Sequence, residues 1–170
     1  MPVFAGIDPG LKGAIVAVEY TLTEPPHVSY ITMPLIKTGK RSEVDSLAVH
    51  GFLVDRGISL VVIEEVQTFP KLGRKQGIAS TGRYFRGHGK LLAAVEIGRI
   101  PHSRCYPKTW QKAFGISSAR GDTKDQAIFV ARQRFPTFKL PTNRVGRELD
   151  GVADALLMAE FARISYTGSK

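Results

Sequence analysis

The rhythm of apolar and polar positions changes several times along the chain, and each change marks an element. Residues 3–8 and 13–20 are short apolar runs separated by Pro9-Gly10-Leu11-Lys12-Gly13, the turn chemistry expected between two strands. A third strand is expected over 28–33, after Glu24-Pro25-Pro26, and three strands with short turns suggest an antiparallel meander. Over 43–56, Val44, Leu47, Ala48, Phe52 and Leu53 fall near helical spacing, and Gly57 stops the pattern. Residues 58–66 contain Leu60-Val61-Val62-Ile63, a continuous apolar run suited to a strand buried on both faces.

A polar, basic loop follows over 67–76. Helix returns over 78–97, strongest around Leu91, Leu92, Ala94 and Val95, with Gly82, Gly87 and Gly89 weakening its first half. A short fifth strand is expected over 102–106, and Pro107 opens a brief helix through Trp110. Residues 122–135 read as a helix capped by Asp122, with Ala127, Ile128, Val130 and Ala131 as its apolar stripe. The last helix spans about 150–165. This order predicts an α/β domain, a mixed five-stranded sheet flanked by helices.

Composition adds a few bounds. A chain of 170 residues with 43% hydrophobic content is sized for one domain over 1–170, with a core that needs no disulfide staples. Its one cysteine, Cys105, excludes an internal disulfide and a thiolate zinc cluster, and its plain reading is an inert buried thiol. No transmembrane span is evident, and Asp8 interrupts the first apolar run too early for a signal peptide, so a soluble, cytoplasmic protein is expected. The net charge of +9 favours a polyanionic partner, because Lys and Arg neutralise phosphates and release counterions.

Four acids fall where strand and helix ends would gather them. Asp8 closes the first strand, Glu64 follows Val61-Val62-Ile63, and Asp150 and Asp154 lie on the last helix. Burying an acid is costly unless it is paired or coordinates a cation. A spacing of four sets Asp150 and Asp154 within roughly 40° on one helix face. Carboxylates so placed repel, and Mg²⁺ or Mn²⁺, which prefer hard oxygen ligands, would relieve the repulsion. Two such ions would activate a water and stabilise a leaving 3′ oxygen during in-line displacement at phosphorus. Each acid also has a plainer reading: Asp8 as a turn former, Glu64 as a strand-end acid, Asp150 as the N-cap of the last helix and Asp154 as a solvated helix acid.

Ile7-Asp8-Pro9-Gly10, Val62-Ile63-Glu64-Glu65-Val66 and Ala153-Asp154-Ala155-Leu156 resemble, in order and separation, the three acidic motifs of RuvC-type Holliday junction resolvases. The resemblance spans nearly the whole chain. Ser80-Thr81-Gly82-Arg83 through Gly89, with Pro107-Lys108-Thr109-Trp110-Gln111-Lys112, is closer to bacteriophage versions. It implies a ribonuclease H-like fold and a homodimer whose subunits each nick one of two opposed strands of four-way or other branched DNA. Asp8, Glu64, Asp154 and Asp150 carry over as the metal-binding set for two Mg²⁺ ions, with Mn²⁺ able to substitute. The family often spaces its paired acids by three; here that position is Gly151, and Asp150 stands one residue earlier.

Lys108 and Lys124 occupy matching basic positions, and Lys124 is expected at the scissile phosphate or the attacking water, or else as a solvated helix-start lysine. Lys71, Arg74, Lys75, Arg83, Arg86, His88 and Lys90 form a basic stretch interleaved with Phe69, Tyr84 and Phe85, suited to phosphates and exposed bases. The resemblance implies an aromatic wedge after the central-strand glutamate, for which Phe69 is the candidate, whereas Tyr84 and Phe85 are read first as packing at a dimer interface. Trp110 reads as a core anchor, and the four histidines show no ligand spacing. Two other readings stand beside the nuclease. One is a branched-DNA-binding module that does not cut. The other is an actin-like ATPase or sugar kinase, which needs two such domains to enclose a nucleotide. Neither membrane association nor a small-molecule substrate is expected.

Overall fold

The computed structural model describes residues 2–65 and 77–168. Its centre is β1 (Val3–Ile7), paired antiparallel with β2 (Ala14–Glu19), which pairs antiparallel with β3 (His27–Thr32). The meander expected from the first three apolar runs is present.

Two strands follow that the hydrophobic pattern did not announce. The hairpin of β4 (Leu35–Thr38) and β5 (Arg41–Val44) is polar and largely exposed, and forms its own two-stranded sheet. The helix expected over 43–56 is therefore shorter, α1 (Ser46–Val54). Its start is set by Asp45, whose Oδ1 accepts from the backbone N–H groups of Leu47 and Ala48 at 3.1 Å each. Val44 belongs to β5, and Leu47 is 78% exposed rather than part of a buried stripe.

The chain returns through β6 (Leu60–Glu64), parallel to β1, then α2 (Ile78–Ile97) and β7 (His102–Cys105), parallel to β6. It finishes with α3 (Pro107–Ala113), a short 3₁₀ turn, α4 (Thr123–Arg134) and α5 (Asp150–Thr167). The five-stranded sheet has the order β3-β2-β1-β6-β7.

Period-two alternation divides the core into two layers. Val3, Ala5, Ile7, Ile15, Val61 and Ile63 face α1 and α2, where Val49, Leu53, Leu91 and Val95 are fully buried. Phe4, Val16, Val18 and Val62 face α3, α4 and α5, packing against Trp110, Ala127, Leu156 and Met158. Gly6 faces this second layer, and a Cβ there would stand 2.1 Å from the Ala155 carbonyl oxygen. Glycine therefore lets α5 lie directly on the backbone of β1. The same helix is held further along by Glu160, 5% exposed, which takes Tyr20, Arg134 and Arg163 as partners.

Candidate active site

The register of β1 and β6 does the first part of the assembly. Ile7 pairs with Ile63 in parallel strands, so Asp8, directly after β1, and Glu64, the last residue of β6, come side by side at the carboxyl ends. In open α/β sheets this end is where ligands bind. Ile7 and Ile63 both face α1 and α2, so alternation turns the next residues toward α5. There Asp154 sits half-buried one turn into the helix that Gly6 admits. Asp8, Glu64 and Asp154 thus come from three elements, and all three are half-buried.

Asp8 is fixed by the turn that follows it. Its backbone N–H donates to the Ala14 carbonyl at 3.0 Å, and its Oδ1 accepts from the Gly10 N–H at 3.2 Å. Glu64 is held at two points. Its Oε2 accepts from Trp110 Nε1 at 2.9 Å, and its carbonyl oxygen lies 3.2 Å from Nε2 of buried His88 on α2. Asp150 starts α5 but does not cap it: the N-cap is Leu149, without a side-chain cap bond. Its carboxylate instead makes an ion pair and hydrogen bond with Lys124, just inside the start of α4, so the expected N-cap role is taken by a long-range pairing.

Burial and neighbouring charges shift each of these acids. Burial pushes the Asp8 carboxyl up; the charge of Asp150 adds to this, while the Gly10 N–H and Lys124 oppose it. Burial pushes Asp154 well above the usual range, and the charges of Asp8, Glu64 and Asp150 push it the same way. Glu64 is pushed from 4.5 up to about 7, by burial first and then by Asp8, against the Trp110 hydrogen bond. Asp150 is the exception: burial raises it, but the Lys124 hydrogen bond and charge outweigh this and leave it lowered. Lys124 is raised in return.

Among the described residues, no three His, Cys, Asp or Glu side chains stand in position to hold a metal ion. Asp8, Glu64 and Asp154 nevertheless gather at one end of the sheet. Their chemistry fits a hard divalent cation: three half-buried carboxylates, none with a cationic hydrogen-bond partner of its own, are held where burial and neighbouring acids disfavour their charged forms. Asp8, Glu64 and Asp154 are the residues that would hold it, with Asp150 at the rim.

The departure at position 151 has a steric basis. A Cβ on Gly151 would stand 2.8 Å from both Gly13 Cα and Lys12 O, and 2.9 Å from Asp8 Oδ2. The start of α5 is pressed against the Asp8 turn, leaving no room for an acid at 151.

The basic residues divide. Arg83 and Lys108 are exposed and form no ion pair among the described residues, whereas Arg86 pairs with Glu43 at 3.5 Å. Phe69, Lys71, Arg74 and Lys75, with the loop expected over 67–76, lie outside the described residues. Tyr84 is half-buried, and its hydroxyl is pushed up by burial and then by the charges of Glu64 and Asp8; Phe85 is 46% exposed. Leu91 and Val95, the strongest part of the helix pattern, are buried in the chain's own core. Cys105 is half-buried, and burial pushes its thiol up to about 12, as suits an inert thiol. No helix among the described residues is long and apolar enough to cross a membrane.

Sequence reasoning missed three contributors. Trp110 was legible as a core residue but not as a hydrogen-bond donor to Glu64. His88 was legible only as part of a basic stretch. The β4–β5 hairpin carried no apolar alternation to reveal it.

No protein-family model matches the chain, and comparison with curated proteins gives no match. Among solved structures it is similar to RuvC of Thermus thermophilus, at 19% identity over 96% of each chain and a TM-score of 0.62. It is also similar to T. thermophilus RuvC in complex with Holliday junction substrate, at 15% identity over 98% of this chain and 96% of that one, with a TM-score of 0.61. At these identities the likeness is one of fold: the chain has the ribonuclease H-like fold of RuvC, a mixed five-stranded sheet with flanking helices.

Proposed function

We propose that this protein is a metal-dependent, structure-selective endonuclease that nicks opposed strands of four-way and related branched DNA. The observation that carries the reading is the placement of Asp8, Glu64 and Asp154, which three separate elements bring to the carboxyl end of β1 and β6. Similarity in fold to a RuvC bound to Holliday junction substrate supports branched DNA as the partner, and the net charge of +9 agrees with it.

In this reading Asp8, Glu64, Asp154 and Asp150 hold two Mg²⁺ ions, for which Mn²⁺ substitutes. When bound, the ions supply a hydrolytic water at neutral pH and stabilise charge on the attacked phosphate and its leaving oxygen. The chain's own groups do the rest. The Gly10 N–H fixes one oxygen of Asp8, and Trp110 fixes one of Glu64. Lys124 offsets Asp150 and places a cation at the rim, where a phosphate would meet it. Arg83, Arg86 and Lys108, with Phe69, Lys71, Arg74 and Lys75, are assigned to DNA phosphates and bases.

The active form is proposed as a homodimer, since two opposed cuts need two sites; exposed Phe85 on α2 suits a subunit contact. The unit is taken as one nuclease domain over 1–170, working in the cytoplasm of a bacterial host, with a bacteriophage source suggested by the style of the 80–89 and 107–112 segments.

The test is direct. A four-way junction labelled on each strand in turn should acquire paired, symmetric nicks with Mg²⁺ and none with EDTA. Binding without nicks under any divalent cation would leave a junction-binding module in place of a nuclease.

A further inference from the structure

Beside the acidic site lies a cleft of about 510 Å³, with Pro9 and Leu11 from the Asp8 turn on one wall, Arg83 and Tyr84 of α2 on another, and Arg41 of β5 on the third. This is within the range of ligand-sized clefts, about 300–1,000 Å³. It adjoins the acidic end of the sheet, because Pro9, one of its lining residues, directly follows Asp8.

The hairpin that forms the third wall is anchored. Glu43 of β5 takes Lys90 Nζ at 2.9 Å and Arg86 at 3.5 Å, and Lys90 also donates to the Val44 carbonyl at 3.2 Å. Val44 itself is buried beneath α2. Glu43 is the one carboxylate among the residues lining the cleft, and those two cations already occupy it. Arg41 stands two residues before Glu43 and so on the same strand face, turned toward α2. Lys40 precedes it at the hairpin turn and Lys37 stands in β4 opposite Ser42, both exposed, and none of Lys37, Lys40, Arg41 or Arg83 forms an ion pair among the described residues.

The geometry points to the β4–β5 hairpin as a strand-holding arm: it clasps, against α2, the DNA strand that runs out from the scissile phosphate. The proposal rests on the nuclease reading and extends it to an element with no part in the acidic motifs. Charge complementarity selects the occupant. Uncompensated cations on two facing walls, with the only carboxylate spent, suit a phosphodiester chain, while Tyr84 and Leu11 offer apolar surface to a base or sugar.

The experiment compares binding of a labelled four-way junction across a salt series, in Ca²⁺ or EDTA so that nothing is cut. Lys37, Lys40 and Arg41 are replaced together by Ala; all three are exposed and bear no structural bond. A control replaces Lys112, Lys139 and Arg144, equally exposed cations away from the cleft. The hairpin variant should lose up to about 2.7 units of the log–log salt slope, at about 0.9 per phosphate contact, while the control keeps its slope. Equal slopes for wild type and hairpin variant would overturn the arm, as would equal losses in both triple variants. A change in oligomeric mass confined to the hairpin variant would overturn it too, assigning the surface to a second copy of the chain. If the wild type fails to bind junctions at all, the nuclease reading itself falls, and that failure is visible before any variant is made.

Discussion

The indole N–H of Trp110 donates to Oε2 of Glu64 at 2.9 Å, joining α3 to the end of β6 across 46 residues of sequence. Trp110 is fully buried, so this bond is made where water does not compete for it. Trp110→Phe keeps most of the packing and removes the donor. It should cost about 1–3 kcal/mol of stability, the range for leaving a buried acceptor unsatisfied, and raise the Mg²⁺ concentration needed for half-maximal cutting several-fold. Because Trp110 is the chain's only tryptophan, Mn²⁺ binding at Glu64 should also quench the wild-type emission. An unchanged Mg²⁺ requirement and an unquenched emission would count against Glu64 as a ligand.

Stability should depend on pH in an unusual direction. Glu64 is pushed from 4.5 up to about 7, so between those values the folded chain keeps a proton that the unfolded chain has released. Stability then falls as pH rises through this window. Asp8 and Asp154 are raised from 3.8 and act in the same sense. Asp150 is lowered and acts oppositely, its contribution being lost as pH falls through the acid range. The melting temperature in EDTA should therefore decline from about pH 5 toward pH 7.5, and Mg²⁺, which binds the ionised forms, should restore it increasingly across that range. A flat profile in EDTA would mean the acids do not press on one another.

Much of this arrangement was legible in the sequence, because the core strands and buried helix faces carry strong patterns. Val3 to Ile7 and Leu60 to Ile63 are apolar because both sheet faces are covered, and α2 has the bounds its spacing predicts. The hairpin was illegible because neither of its strands alternates: Lys37, Lys40 and Arg41 face solvent, and Val44 fell into helical phase with Leu47 and Phe52. The acids were found as types in the right order. Their partners were not, since Trp110 and Lys124 reach them over 46 and 26 residues, and no local spacing encodes such distances.

Position 151 gives a steric prediction. Gly151→Ala places a Cβ 2.8 Å from the backbone of Lys12 and Gly13, which has little freedom to yield, and 2.9 Å from Asp8 Oδ2. The start of α5 or the Asp8 turn must shift, at a cost of about 1–3 kcal/mol by denaturant unfolding, with a larger proportional loss of cutting. Gly151→Asp restores an acid three before Asp154, yet should not rescue an Asp150→Asn variant. Full rescue would show that the turn accommodates the side chain.

Asp8→Asn should separate binding from cutting. It removes charge from the group that Asp154 and Glu64 both feel, and leaves every basic side chain in place. Nicking of a four-way junction should fall to background, while junction affinity and its salt slope stay at wild-type values. Normal cutting by this variant would displace Asp8 from the mechanism.

The central claim, that Asp8, Glu64 and Asp154 together hold the divalent cation, is tested most directly by anomalous diffraction from crystals soaked in Mn²⁺. The expected result is an anomalous peak bonded to Asp8 and to Glu64 or Asp154, lost in the Asp8→Asn protein. Crystals that take up Mn²⁺ elsewhere, or not at all at concentrations that support cutting, would contradict it.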